Sequence, residues 1–368
     1  MKITLVHAYR VRIPFSFSID HNLKKRACTE SLILVLHSSE GHMGYGEATP
    51  REYVTGESSE QLWQLIQDLV KEWQSPEISS LEDIRSQSAA FAQKFPFPSL
   101  ICAWETALLD VWGKHAKLPI QEMLGPQPIE EAQYSAVFPY LETTKLIKWL
   151  SKMSQLGMRQ IKVKVGQEDD LAQLKEVRKQ LDAEVDIRVD ANRAWTYEEA
   201  LTKLEILADL GVSCIEEPLK KEDIGRLAEL VNTSPIPILL DESLASLEEA
   251  QHYAREIAAD KILFNLKISK LGGLFKSSEI YHFARQKGIS CQLGCHVGET
   301  AILSAAGRIF AQTHKLKYLE GSYAPFYMED DISSTPLSFG KNGKADKLVG
   351  AGLGIEIDPQ KLLTYHHA

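Results

Sequence analysis

The chain is expected to fold as an α/β protein, a (β/α)8-type barrel of modified TIM-barrel form preceded by an N-terminal α+β capping domain. Three observations predict this. Eight short, β-branched runs alternate with amphipathic stretches after about Gln133. Polar residues close those runs at a nearly constant step. The region ahead of them reads as a strand meander followed by helices. At 368 residues the chain also exceeds what one core usually organises.

The elements follow in order. Residues 3–13 and 31–37 alternate like strands, and GHMGYGEA supplies the glycines of a turn and a third strand. Between the first two lies SFSIDHNLKKRACTE, read as a long loop near residues 16–29, mobile and placed to meet substrate. From about Ser58 the pattern turns helical, in QLWQLIQDLVKEW and then in SLICAWETALLDVWGKHA. The barrel runs are YSAVFPY, RQIKVKVG, DIRVDAN, CIEEPL, PILLDES, ILFNLKIS, ISCQLGCH and LKYLEGS. The expected division is a capping domain over 1–128, the barrel over 129–325 and a C-terminal segment, 326–368, packing back on the capping domain.

The residues ending the runs carry the functional signal. Lys164, Asp190, Glu216, Asp241 and Lys267 are 26, 26, 25 and 26 residues apart, with Gly294 a further 27 on and Glu320 another 26. That is one βα unit per step. In a parallel barrel the carboxyl ends of all strands face one mouth, where such folds keep their chemistry.

Composition narrows the field. A net charge of -9 argues against nucleic acid or an acidic membrane surface as partner, and no run approaches 18 consecutive apolar residues. The N-terminus lacks a signal-like apolar region. Five scattered cysteines suit reduced thiols in a cytoplasm rather than a disulfide framework. A soluble cytoplasmic enzyme acting on a small-molecule carboxylate, and assembling as a homo-oligomer, is the expectation.

Asp190, Glu216 and Asp241 each follow an apolar run. One such acid alone is as readily a helix N-cap. Three in register, flanked by lysines in register, require a cation, because a buried unpaired carboxylate costs several kcal/mol. Oxygen-only ligation with open positions suits Mg²⁺, with Mn²⁺ as the alternative, rather than Zn²⁺. Glu217 and Glu242, next in sequence, point away from the ligand set by strand alternation. Lys162 and Lys164 share a face. Two adjacent inward ammonium groups depress at least one pKa, making a neutral general base feasible. Strands two and six oppose each other in an eight-stranded ring, so Lys164 and Lys267 would flank a substrate. Lys270 reads as the start of the next loop, and Gly272–Gly273 as a turn that approaches a ligand closely.

With these motifs in hand, the chain resembles the enolase superfamily in its muconate-lactonizing-enzyme-like branch. The resemblance rests on YGEATP, TGES, ETALLDVWGK, IKVKVG, VDAN, IEEP, LDES, NLKISKLGG and GCHVGET, and covers nearly the whole chain. It implies that Asp190, Glu216 and Asp241 hold Mg²⁺, that Lys164 and Lys267 are the acid/base pair, and that Lys162 tunes its neighbour. The opening segment looks most like dipeptide epimerases. The implied activity is racemisation or epimerisation of a dipeptide or N-acylamino acid through an enediolate. The alternatives are a lyase or cycloisomerase of the same branch, of o-succinylbenzoate synthase or muconate cycloisomerase type, and a non-catalytic metal-binding barrel. The resemblance also marks departures. Where dipeptide epimerases carry Asp-x-Asp on strand eight, this chain has Glu320-Gly321-Ser322, so Glu320 is either an amine partner or a strand-end cap, with Ser322 beside it. His296 is a substrate contact or a structural histidine. Glu299 orients a catalytic lysine or caps a helix, and Asn192 supports the ligand set from behind. In the capping loop, Lys24, Lys25 and above all Arg26 would bind a substrate carboxylate remote from the metal.

Overall fold

The computed structural model describes the chain except residues 22–23, 73–75, 126–130, 168, 336 and 368; for 18–21, 24–25, 71 and 72 it describes the backbone alone. The chain opens with β1 (Ile3–Val11), then β2 (Pro14–His21), β3 (Lys24–Cys28), β4 (Ser31–Ser38) and β5 (Met43–Ala48). Among the described residues β1, β4 and β5 form one antiparallel sheet in that order. The stretch read as a loop is a hairpin, in which β2 pairs antiparallel with β3. Its signal was present: Phe15, Phe17 and Ile19 alternate with polar residues at the strand period. Phe17 packs edge-on against Tyr327 and tilted against Trp149, which anchors the hairpin to the rest of the protein. The side chains of Lys24 and Lys25 lie outside the described residues.

The helix Pro98–Ala116 is apolar nearly all round and buried nearly all round, as a helix sandwiched between layers must be. It crosses β5 in backbone contact. A Cβ at Gly46 would fall 1.7 Å from the carbonyl oxygen of Ala103, and one at Gly44 2.2 Å from that of Ala107, so only glycine fits there.

The barrel strands are preceded by β6 (Glu131–Gln133). They are β7 (Ala136–Phe138), β8 (Gln160–Lys164), β9 (Asp186–Asp190), β10 (Val212–Glu216), β11 (Ile238–Leu240), β12 (Ile262–Leu266), β13 (Ser290–Leu293) and β14 (Tyr318–Leu319). Among the described residues they form one eight-stranded sheet in sequence order, with every pairing parallel. The Ser135 amide donates to the Leu319 carbonyl at 2.8 Å, joining the first barrel strand to the last. A small cluster of Cys214, Leu239, Leu263 and Tyr318, separate from the main core, fills the barrel interior. A last strand, β15 (Lys344–Asp346), pairs with β6, and the chain then returns to β1: the Arg12 amide donates to Tyr365 O and the His367 amide to Arg10 O.

Buried acids tie the layers together, and they sit in the conspicuous motifs ahead of the barrel. Glu47 of YGEATP accepts from the Ser31 hydroxyl (2.7 Å), the Thr300 amide (2.9 Å) and hydroxyl (2.7 Å), and the Leu303 amide (3.1 Å). It thereby satisfies the free amides at the start of the barrel helix Ala301–Thr313. Glu57 of TGES does the same for Ser99 (2.9 Å). From the helix Pro98–Ala116, Glu105 accepts from the Phe275 amide (3.0 Å), and Asp110 from the amides of Tyr45 and Leu353 (2.9 Å each). Gly273 approaches Glu105, not a ligand: a Cβ there would lie 2.4 Å from the Glu105 carboxylate.

Candidate active site

Parallel pairing brings the spaced residues side by side. Lys164 is in register with Asp190, and Asp190 with Glu216. One βα unit per 26 residues, with strands in register, therefore delivers successive charges to the same height of the barrel. All three acids are nearly inaccessible, at 1–2 % exposure.

Each acid meets a cation. Lys164 Nζ donates to Asp190 Oδ2 at 2.7 Å and also to Asn192 Oδ1. Lys162, one layer deeper, donates to Glu216 Oε2 (3.0 Å) and Glu320 Oε2 (2.9 Å) and stands 3.5 Å from Asp190. Lys267 pairs with Asp241 Oδ2. Lys270 is not the start of a loop: it lies in the helical turn Ile268–Leu271, 1 % exposed, donating to Asp241 Oδ1 (2.9 Å) and the Asn265 carbonyl (3.2 Å). The signal for it was the spacing of three from Lys267, which places both ammonium groups on one side of a helical turn.

The pKa consequences follow from these neighbours. Burial works against the charged form of Asp190, but Lys164 and Lys162 outweigh it and hold the acid at about 2. Asp241 is held well below the carboxylate range against its burial by Lys267 and Lys270. Glu216 goes the other way, to about 7, through burial and the charges of Asp190, Asp241 and Glu320. The expected depression of one of the paired lysines does not hold for Lys162. Burial opposes its charge, yet Glu216, Glu320 and Asp190 push its pKa above the ordinary value.

Glu217 and Glu242 take different places, and only Glu242 departs from the expectation. Glu217 is fully buried under the Asp241 and Ser243 amides (2.8 and 2.6 Å) and the Ser243 hydroxyl (2.9 Å). Glu242 joins the mouth, because β11 ends at Leu240 and alternation no longer governs the residues beyond it. Its Oε1 accepts from Asn192 Nδ2 at 3.3 Å, its buried Oε2 has no hydrogen-bond partner, and burial with the charges of Asp241 and Glu217 raises its pKa to about 8.

Other expected residues divide clearly. Glu320 is bonded through both oxygens, to Lys162 and to Arg188 Nη1 (3.1 Å). The Ser322 hydroxyl donates to Tyr134 OH (3.2 Å) and accepts from Arg308 Nη2 (3.1 Å), so it is committed to packing beneath the wall. Arg26 is buried, with Nη1 on the Val297 carbonyl (3.0 Å) beside Arg51 Nη2 on the same oxygen (3.0 Å), and burial and that neighbour lower its pKa to about 10. His296 is buried, with Nδ1 3.0 Å from the Thr49 hydroxyl and Nε2 without a partner, and burial, Arg51 and Lys267 keep it neutral. Glu299 accepts from the His296 amide (2.6 Å), while Thr300 caps the following helix. Burial raises the Glu299 pKa to about 8. Sequence reading passed over Asn265, which donates to Glu216 Oε1 at 2.9 Å, and over Arg188 and Gln292, although each stands two residues, one strand period, before a position of the strand-end series. All five cysteines are free thiols.

Among the described residues no three His, Cys, Asp or Glu side chains stand close enough to hold an ion as they lie, since ammonium groups sit on the carboxylate oxygens. The donor set nevertheless fits a hard divalent cation. It is oxygen-only and buried, Glu216 is strained by neighbouring anions, and Glu242 keeps a buried oxygen without a donor. No helix among the described residues is long and apolar enough to cross a membrane.

Comparison with known proteins agrees with this geometry. A family model described as Enolase C-terminal domain-like matches residues 145–361. The chain is 28% identical over 369 residues to an N-succinyl-L-Arg/Lys racemase of Bacillus cereus, covering 98% of this chain and 97% of that protein. The crystal structure of that racemase superposes with a TM-score of 0.90 at 26% identity, over 100% of this chain and 99% of the other. A dipeptide epimerase of Enterococcus faecalis, solved with Mg and the dipeptide L-Leu-L-Tyr, superposes with a TM-score of 0.87 at 26% identity, over 97% and 100% of the two chains. A muconate lactonizing enzyme of Pseudomonas fluorescens, complexed with muconolactone, gives 0.89 at 25% identity, over 99% of each.

Proposed function

The chain belongs to the enolase C-terminal domain-like family, and from that premise we propose that it moves a proton at the carbon next to a substrate carboxylate. The reaction is racemisation or epimerisation of a dipeptide or N-acylamino acid. One observation carries the reading. Lys164, on β8, and Lys267, just past β12, stand four strands apart in the eight-stranded ring, with Asp190, Glu216 and Asp241 on the three strand ends between them.

Asp190, Glu216 and Asp241 would hold Mg²⁺, or Mn²⁺ in its place, which supplies the positive charge needed to stabilise a dianionic enediolate. The remaining residues act on protons and orientation. One of the two lysines, as the neutral amine, takes the α-proton from its face, and the other, as ammonium, returns a proton from the opposite face. Asn192 bridges Lys164 to Glu242, and Lys270 fixes Asp241, so both lysines work from braced surroundings. Lys162, one layer below the mouth, is clamped between Glu216 and Glu320 and braces those acids.

Incubation with Mg²⁺ in D₂O and a panel of dipeptides and N-acyl-L-amino acids should show α-proton exchange by NMR together with a change in optical rotation, falling to zero for the N-acylamino acids and to that of the diastereomer mixture for the dipeptides. A new ultraviolet-absorbing double bond, or a lactone, would instead indicate a lyase or cycloisomerase.

A further inference from the structure

The three acids occupy the ends of β9 and β10 and the residue after β11, and Lys164 and Lys267 close that arc on β8 and after β12. A substrate carbon held between the two lysines, with its carboxylate towards the acids, must send its other substituents over β13, β14 and β7 or up into the capping domain. His296 stands in that open arc, three residues past the end of β13. Its surroundings fix it closely. The His296 amide donates to Glu299 Oε1 at 2.6 Å, and the next carbonyl, of Val297, accepts from Arg26 and Arg51 at 3.0 Å each. Nδ1 lies 3.0 Å from the Thr49 hydroxyl of the capping domain. Nε2 is buried and has no partner among the described residues, while the mouth charges of Lys267, Asp241 and Lys270 bear on the ring.

The tautomer of this ring follows from its partner. The Thr49 hydroxyl donates to Ser269 Oγ at 2.9 Å, in the helical turn that carries Lys270, and Ser269 Oγ also takes the Thr49 amide at 3.3 Å. The one hydroxyl proton of Thr49 is therefore committed, and towards Nδ1 its oxygen can only accept. Burial, Arg51 and Lys267 keep the imidazole neutral, so it carries a single N–H. That N–H is at Nδ1, and Nε2 presents a lone pair. A lone pair buried without a donor costs stability, and a ring serving packing alone would have nothing to offset the cost. We infer that His296 is a specificity-determining residue whose Nε2 accepts the amide N–H at the α-nitrogen of the substrate, with Thr49 as the positioning residue that locks the tautomer. This rests on the proton-transfer reading above and narrows its substrate class to secondary amides, whether peptides or N-acylamino acids. The α-nitrogen is one bond from the carbon that loses its proton, so the contact also fixes the rotation of that carbon between Lys164 and Lys267. Carrying no proton, Nε2 cannot protonate the enediolate, which leaves both transfers to the lysines.

One measurement needs neither metal nor substrate. In enzyme labelled with nitrogen-15 histidine, the His296 signals, assigned by their loss in His296→Gln, should show the neutral ring protonated at Nδ1. Thr49→Val should release that tautomer, and Thr49→Ser should keep it. A ring protonated at Nε2 in the unaltered enzyme would overturn the inference. A second measurement compares α-proton exchange in D₂O, with Mg²⁺, for N-acyl-L-amino acids and for their ester isosteres, in which oxygen replaces the N–H. The unaltered enzyme should favour the amides, and His296→Leu should shrink that preference by about tenfold or more, mainly through KM for the amides. His296→Gln, whose side-chain carbonyl can accept in place of Nε2, should keep most of it. An unchanged preference in a folded His296→Leu would overturn the inference and leave the proton-transfer reading standing. An equal loss on amides and esters would also overturn it, because Lys267 rather than the substrate would then be the partner of Nε2. Exchange of neither class by the unaltered enzyme would overturn both.

Discussion

The protein buries carboxylates in two regions and satisfies them in opposite ways. At the seam between capping domain and barrel, Glu47, Glu57 and Glu105 are held by backbone amides and hydroxyls at helix starts. At the barrel mouth, Asp190 and Asp241 are held by lysines. Amides offset part of the desolvation but bring no full charge, so burial prevails and the seam acids are raised, Glu105 to about 8. Ammonium groups reverse the sign, and Asp190 falls to about 2. Glu216 marks the boundary between the two cases: it has a lysine, but three anions surround it. A carboxylate that must stay charged for chemistry is given a cation. Glu47, Glu57 and Glu105, which join layers of the fold, are held without an ammonium group and can carry a proton.

The largest effect that would break this contrast is at the mouth. Lys164→Ala and Lys267→Ala should each lower racemisation by about 10³-fold or more, with circular dichroism unchanged. Normal turnover in both variants would remove the mouth from the chemistry altogether. The seam should respond in stability instead. Glu47→Ala leaves the Thr300 and Leu303 amides buried without an acceptor and should destabilise the fold by about 3 kcal/mol in urea titration, with kcat per folded molecule nearly unchanged. A smaller effect sharpens the contrast through pH. Because the folded pKa of Glu105 is raised, its favourable contribution is full below about 4.5 and is lost as pH rises towards 8. Asp190, depressed in the fold, contributes above about 4, and that contribution is lost as pH falls towards 2. Glu105→Gln should therefore flatten the stability–pH curve between about pH 5 and 8 by on the order of 1–2 kcal/mol while leaving its acid limb in place. A curve of unchanged slope would show that the seam acid is ionised after all.

Legibility differed between the same two regions. The barrel strands were readable because each is short, apolar and β-branched, and because in-register parallel pairing turns a constant spacing into a common height. The hairpin of β2 and β3 reads as a loop in sequence, since the stretch is polar and charged and its alternation spans only Phe15, Phe17 and Ile19. Lys270 and Glu242 were misjudged for one reason: both lie just beyond a strand end, where the two-residue period stops and the local turn decides direction. The acids of YGEATP, TGES and ETALLD stood out as motifs, but their work as amide acceptors for distant helices was invisible without the fold.

What the sequence by itself determined is the order of the elements and the position of charges along them, because strand period, helix period and βα repeat are local properties of a chain. Only the tertiary structure decided which charge meets which. Arg188 finds Glu320 across 132 residues, and Glu47 finds Thr300 across 253. Those pairings depend on the curvature of the barrel and the seating of the cap. The free energy of a buried charge is set by its nearest opposite charge or amide, which no local pattern contains.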